Sequence, residues 1–132
     1  MGMIGQGALA AALAVVLAVP AFAQEGDVAA GEKVFKKCAA CHSLDPDGKA
    51  KVGPDLYGVV GRTTGTTEGF KYSDDMVKAG EEGHVWTPEE ISTFLEAPKK
   101  MFPKTKMTFA GLKKPEERAD VIAYIESVSN GD

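Results

Sequence analysis

Five residues carry the chemistry of this chain: Cys38-Ala39-Ala40-Cys41-His42. The C-x-x-C-H spacing reads as a covalent attachment site for a c-type haem. On a helical turn, side chains three and four residues apart share a face, so both thiols and the imidazole can address one macrocycle. The thiols add to its two vinyl groups, and the histidine beside the second thiol is held next to the iron. A second axial ligand must come from elsewhere. Met76, Met101, Met107 and His84 are the candidates after position 23. Met76 belongs to a short capped helix and reads as core packing. His84 follows Glu81-Glu82-Gly83 and reads as solvent-exposed. Met101 and Met107 lie in a segment between Pro98 and Pro115 that reads as non-helical. Local pattern favours Met107, on a strap pinned by Pro103 and Gly111, over Met101, which follows the end of a helix.

The elements that must hold these residues are short helices. Asp27 caps a helix to about Cys38, with Val28, Val34 and Phe35 on one stripe, and Gly31 inside it implies close approach of another element. Ser73 to Gly80 reads as a second helix, capped by serine and stopped by glycine. Thr87-Pro88-Glu89-Glu90 forms a capping box for a third, with Ile91, Phe94 and Leu95 on its apolar face and Pro98 as its stop. The strongest begins at Pro115, with Glu116 and Glu117 in the first turn. Val121, Ile122, Ile125 and Val128 recur on one face until Asn130-Gly131. Residues 43 to 71 are divided into turns by glycine and proline, and no run alternates as a strand. The expected class is all-α, with three to five short helices and long loops. So few helices have little apolar core of their own, and a large buried cofactor supplies the centre.

Two segments divide the 132 residues. Residues 8 to 19 are an apolar run of Ala, Leu and Val, followed by Pro20 and Ala21-Phe22-Ala23, the pattern of a secretory signal peptide cleaved after Ala23. The span is short against the roughly 20 residues a membrane crossing needs. Residues 1–23 are thus read as a leader, 24–132 as one exported domain, and the periplasm as its compartment. There an exposed cysteine pair would oxidise, a fate that haem attachment avoids. All 15 basic and 19 acidic residues follow the leader, and the net charge of −4 excludes a globally basic nucleic-acid binder. Their distribution is uneven. Lys99, Lys100, Lys104, Lys106, Lys113 and Lys114 have no acid among them, whereas Asp74 to Glu96 carries seven acids against Lys78.

From Gly26 to Asn130 the chain resembles the class I c-type cytochromes, the soluble mitochondrial and bacterial cytochrome c branch. The likeness runs through Gly26-Asp27, Gly31, Phe35, the C-x-x-C-H motif and Gly53-Pro54-Asp55-Leu56-Tyr57-Gly58-Val59-Val60-Gly61-Arg62. It continues through Gly69-Phe70-Lys71-Tyr72, Trp86, Pro98-Lys99-Lys100, Pro103, Thr105-Lys106-Met107, Phe109-Ala110-Gly111 and Ala123-Tyr124. The resemblance implies a cytochrome c fold around one haem c, attached through Cys38 and Cys41 and ligated by His42 and Met107. It implies that the Pro54 carbonyl orients His42, that Arg62, Tyr72 and Trp86 meet the propionates, and that Phe109 belongs to the pocket. Gly31, Phe35 and Tyr124 match the contact between terminal helices. Three positions depart from the family pattern: Lys104 where glycine is common, Phe94 where many members have tyrosine, and Met76 in place of an asparagine. The last two predict a drier interior near Met107.

His/Met ligation leaves no open coordination site, so the expected function is electron carriage rather than catalysis. The lysine segment is the expected docking surface for membrane redox complexes. A haem enzyme or gas sensor with a labile sixth ligand is the alternative. A thioredoxin-like Cys38/Cys41 pair lacks the βαβ context it needs, and a zinc site lacks ligands.

Overall fold

The computed structural model describes residues 2, 3, 5, 7–16 and 26–131. Five helices follow one another: α1 (Val28–Phe35), α2 (Asp74–Glu81), α3 (Pro88–Glu96), α4 (Pro98–Met101) and α5 (Pro115–Asn130). Among the described residues the only β pairing is an isolated antiparallel bridge between Thr63 and Val85. The all-α class is as expected. The signal-peptide cleavage site, Ala21 to Ala23, lies outside the described residues.

The Asp27 carboxylate accepts from the Ala30 amide at 2.7 Å and so caps α1. The helix ends at Phe35, three residues short of the expected Cys38. There the backbone tightens into three-residue turns, with the Lys37 amide on the Val34 carbonyl at 3.0 Å and the Cys38 amide on Phe35 at 2.8 Å. Val28 does not join the apolar stripe. It is 44% exposed, while Phe35 is buried and Val34 packs against the core.

The expected close approach at Gly31 is present. A Cβ there would lie 1.9 Å from the Asp120 carbonyl oxygen of α5. The two terminal helices therefore cross backbone to backbone, and Phe35 meets Tyr124 with ring centroids 5.5 Å apart. The Asp27 amide donates to the Asp120 carboxylate at 2.7 Å and locks the start of α1 onto α5. Gly131, in the left-handed conformation at φ 75°, closes α5.

Two other boundaries differ from expectation. The α2 helix runs through Gly80 to Glu81, and the chain turns only at Gly83, φ 94°. Gly80 instead admits the Thr64 carbonyl, which would sit 1.9 Å from a Cβ. Ser73 stands at the N-cap as expected, but its hydroxyl donates to the Asp75 carboxylate and accepts from no helix amide. Pro98 ends α3 but also opens α4, since a proline ring suits a first helical position. Met101 is thus helical.

Nor is His84 a surface residue. Its Nε2–H donates to Glu90 at 2.8 Å, its Nδ1 pairs with the Thr64 hydroxyl, and its ring stands edge-on to Trp86 and Phe102. That bond takes the Glu90 side chain, so only half of the capping box forms: the Thr87 hydroxyl accepts from the Glu90 amide at 3.1 Å.

Phe35, Met76, Trp86, Ile91, Phe94, Leu95, Phe102, Leu112, Val121, Ile122 and Ile125 make one buried cluster. It is not a closed core. A cavity of about 520 Å³ opens into it, and seven of those side chains line its wall: Met76, Trp86, Ile91, Phe94, Leu95, Val121 and Ile125.

Candidate haem-binding site

Cys38 and Cys41 are free thiols on the turn that follows α1, and both line the cavity. The Cys38 carbonyl accepts from the Cys41 amide at 3.0 Å and the His42 amide at 2.9 Å, which folds the motif into consecutive turns. Burial pushes the Cys38 thiol up to about 11, with Lys37 pulling it down and Cys41 adding to the rise. The group is therefore a neutral thiol at neutral pH.

His42 is fixed by the backbone opposite it. Its Nδ1 lies 2.7 Å from the Pro54 carbonyl oxygen, which can only accept, so Nδ1 carries the proton and Nε2 keeps the lone pair. Gly53 packs against the same ring, where a Cβ would come within 2.5 Å of Cε1. Burial lowers the His42 pKa, against the opposing effects of the Pro54 bond and Asp55. The neutral form with Nε2 as donor atom is the one that ligates a metal.

Met107 also lines the cavity, half-buried on the strap between α4 and α5. The Phe102 carbonyl accepts from the Thr105 amide at 2.9 Å, and the Thr105 hydroxyl accepts from the Met107 amide at 3.3 Å. Beyond these turns, backbone-to-backbone hydrogen bonding among the described residues resumes only at Leu112, whose amide reaches Leu95 at 2.7 Å. Met101 does not line the cavity.

The remaining expected residues converge on the same space. Pro54, Arg62, Tyr72, Trp86 and Phe109 all line it. Arg62 is held by the Tyr57 carbonyl at 2.8 Å and the Thr67 hydroxyl at 2.7 Å, and Trp86 packs 5.2 Å from Phe94. Phe94 and Met76, two of the three positions read as departing from the family pattern, are both on the wall.

Sequence reading missed three supports. Thr67 steadies Arg62 from a glycine-rich turn that carries no pattern. Asp75 accepts from the Met76 amide at 3.0 Å and the Lys104 amide at 2.8 Å, a contact 29 residues away that local pattern cannot show. Arg118 is buried, with Nε donating to Ser92 at 3.0 Å and Nη1 to the Leu112 carbonyl at 2.8 Å. Its signal was legible: a charge at helical spacing on the Val121-Ile122-Ile125 stripe.

The Cytochrome c family model matches residues 28–129. This chain belongs to the cytochrome c family. A cytochrome c2 of Agrobacterium tumefaciens is 54% identical over 101 residues, covering 76% of this chain and 91% of the relative. A cytochrome c2 of Rhodobacter capsulatus is 48% identical over 126 residues, 87% of this chain and 90% of the relative. A cytochrome c of Chlamydomonas reinhardtii is 50% identical over 109 residues, with 81% and 94% covered.

For a cytochrome c, the cysteine pair is where haem c attaches, and the residues present fit that group. Two thiols, an imidazole with a free Nε2 and a thioether border one largely apolar cavity, whose volume lies within the roughly 300–1,000 Å³ usual for small-molecule sites. Among the described residues no group of three or more His, Cys, Asp and Glu side chains could hold a metal ion.

Proposed function

We propose that this cytochrome c is a soluble periplasmic carrier of single electrons, its haem iron ligated by His42 and Met107. One observation carries the reading: Met107 lines the same cavity as Cys38, Cys41 and His42. Haem, when bound and held by His42 and Met107, would supply a one-electron couple, and a thioether ligand would raise its potential. The chain's residues do the rest. Pro54 and Gly53 hold the imidazole, Thr105 orients the Met107 amide, and the apolar wall excludes water and favours the less charged iron state. On this reading Arg62, Tyr72 and Trp86 would meet the propionates, and Phe109 would pack in the same pocket; all four line the cavity.

The decisive experiment is the sulfur-to-iron charge-transfer band of the ferric protein. It is expected in the wild type and lost in Met107→Ala. A wild type without it would favour the alternative, a haem enzyme or gas sensor with an open sixth position.

Export follows from residues 1–23, read as a signal peptide removed ahead of the single domain 24–132. Leu9, Leu13, Val15 and Val16 are at least 78% exposed, so among the described residues nothing covers this part of the apolar run. Among the described residues no helix is long and apolar enough to cross a membrane. Mass spectrometry of the exported holoprotein should find Gln24 at its amino terminus.

Lys99, Lys100, Lys104, Lys106, Lys113 and Lys114 are all exposed on α4, the Met107 strap and the approach to α5. Lys106 lines the cavity, and on this reading the six together offer a positive surface for transient docking on acidic membrane redox complexes, the protein itself acting as a monomer. Electron-transfer rates should fall as salt rises, and a rate flat with ionic strength would count against this surface.

A further inference from the structure

The strap that carries Met107 has few backbone hydrogen bonds to hold it. Backbone hydrogen bonding leaves it after Thr105 and returns only at Leu112. Two bonds tie it to the segment before and within α2: the Lys106 ammonium reaches the Lys71 carbonyl at 2.7 Å, and the Lys104 amide reaches Asp75 Oδ2 at 2.8 Å. The first hangs on a long flexible side chain. The second grips the main chain three residues before the methionine.

We propose that Asp75 is a positioning residue for Met107, a clasp joining the strap to the first turn of α2 and limiting how often the methionine leaves the iron. Its carboxylate serves both sides. Oδ1 takes the Ser73 hydroxyl and the Met76 amide, and both residues line the cavity, while Oδ2 takes the strap. The strap and the cavity wall therefore share one anchor. Lys104 stands where glycine is common in the family pattern, and its φ is not positive, so the turn that presents its amide to Asp75 needs no left-handed residue. Burial raises the Asp75 pKa, but the Ser73, Lys104 and Met76 hydrogen bonds outweigh it and hold the carboxyl below its ordinary value, as expected of an ionised acceptor.

The inference rests on Met107 being an iron ligand. A six-coordinate iron admits an external ligand only when the methionine departs, so the rate of cyanide entry into the ferric holoprotein reads strap opening. One charge-assisted hydrogen bond at a partly exposed site corresponds to about a fivefold change in an opening equilibrium. Asp75→Ala should therefore take up cyanide about fivefold faster than wild type. Asp75→Asn, which retains one side-chain carbonyl, should fall between them. Asp74→Ala removes the neighbouring charge and should leave the rate unchanged. By hydrogen exchange, the Lys104 amide should lose protection in Asp75→Ala while Val121 and Ile122 keep theirs.

Equal cyanide rates in Asp75→Ala and Asp74→Ala would overturn the clasp. So would an equal loss of protection at Val121 and Lys104, which would mean general destabilisation. Absence of the charge-transfer band from the wild type would overturn Met107 ligation and this inference with it. A band present with flat cyanide rates would overturn the clasp alone.

Discussion

Gly31→Ala sets two helix effects against each other, and the structure decides which wins. Alanine is the better helix former by about 1 kcal/mol, so on propensity alone the variant would be more stable. The added methyl, however, would be built 1.9 Å from the Asp120 carbonyl oxygen and 2.8 Å from the Tyr124 Cβ. The nearest obstacle is backbone of α5, which cannot rotate away. To reach even a tight contact the helices must part by about 1 Å, a shift that loosens Phe35 against Tyr124 and strains the Asp27 to Asp120 bond. Overpacking of this kind costs about 3 kcal/mol, which leaves a net loss of about 2 kcal/mol after the propensity gain. For a domain of this size the midpoint should fall by about 10 °C. Thermal unfolding of the holoprotein by far-UV circular dichroism measures it, with the exposed Ala29→Gly as a propensity control that should lose about 1 kcal/mol. A Gly31→Ala protein as stable as wild type would refute the backbone contact between α1 and α5.

Removing the buried charge in Arg118→Met should destabilise by about 2 kcal/mol in guanidinium unfolding, because Ser92 and the Leu112 carbonyl lose their donors. Phe94→Tyr places a hydroxyl on an apolar wall between Trp86 and Phe102. It should shift the reduction potential and the stability of the iron–sulfur bond, and unchanged values would count against a dry interior. The lowered Asp75 pKa means that its contribution to stability is present above the ordinary carboxylate value, near 3.8, and lost as pH falls through the lower folded value. An acid titration of stability should therefore show wild type and Asp75→Asn converging at the acid end.

What was legible in the chain was what local physics controls. Asp27, Thr87, Pro115 and Gly131 mark helix ends because a cap, a ring or a left-handed glycine acts within a few residues. Gly31 was legible as a close contact because a glycine inside a strong helix needs a reason. The misplaced boundaries are those that tertiary partners set. Glu90 left its capping role for His84, which a turn-like sequence had placed in solvent. Pro98 stops one helix and starts another, two roles that the same ring permits. At the site, motif and family resemblance named the residues around the cavity, whereas Asp75 and Thr67 act through contacts that only the folded chain creates.

The hold on His42 has a consequence for how such a protein can change. Its acceptor is a main-chain oxygen and its neighbour on the ring is a glycine backbone, so no side-chain replacement deletes the bond, and any side chain at position 53 would push the ring. The histidine half of the site is thereby set by the path of the chain, out of reach of most single substitutions. Variation in redox behaviour among descendants of this sequence has to accumulate on the other half, where Phe94, Met76, Asp75 and Lys104 are ordinary exchangeable side chains.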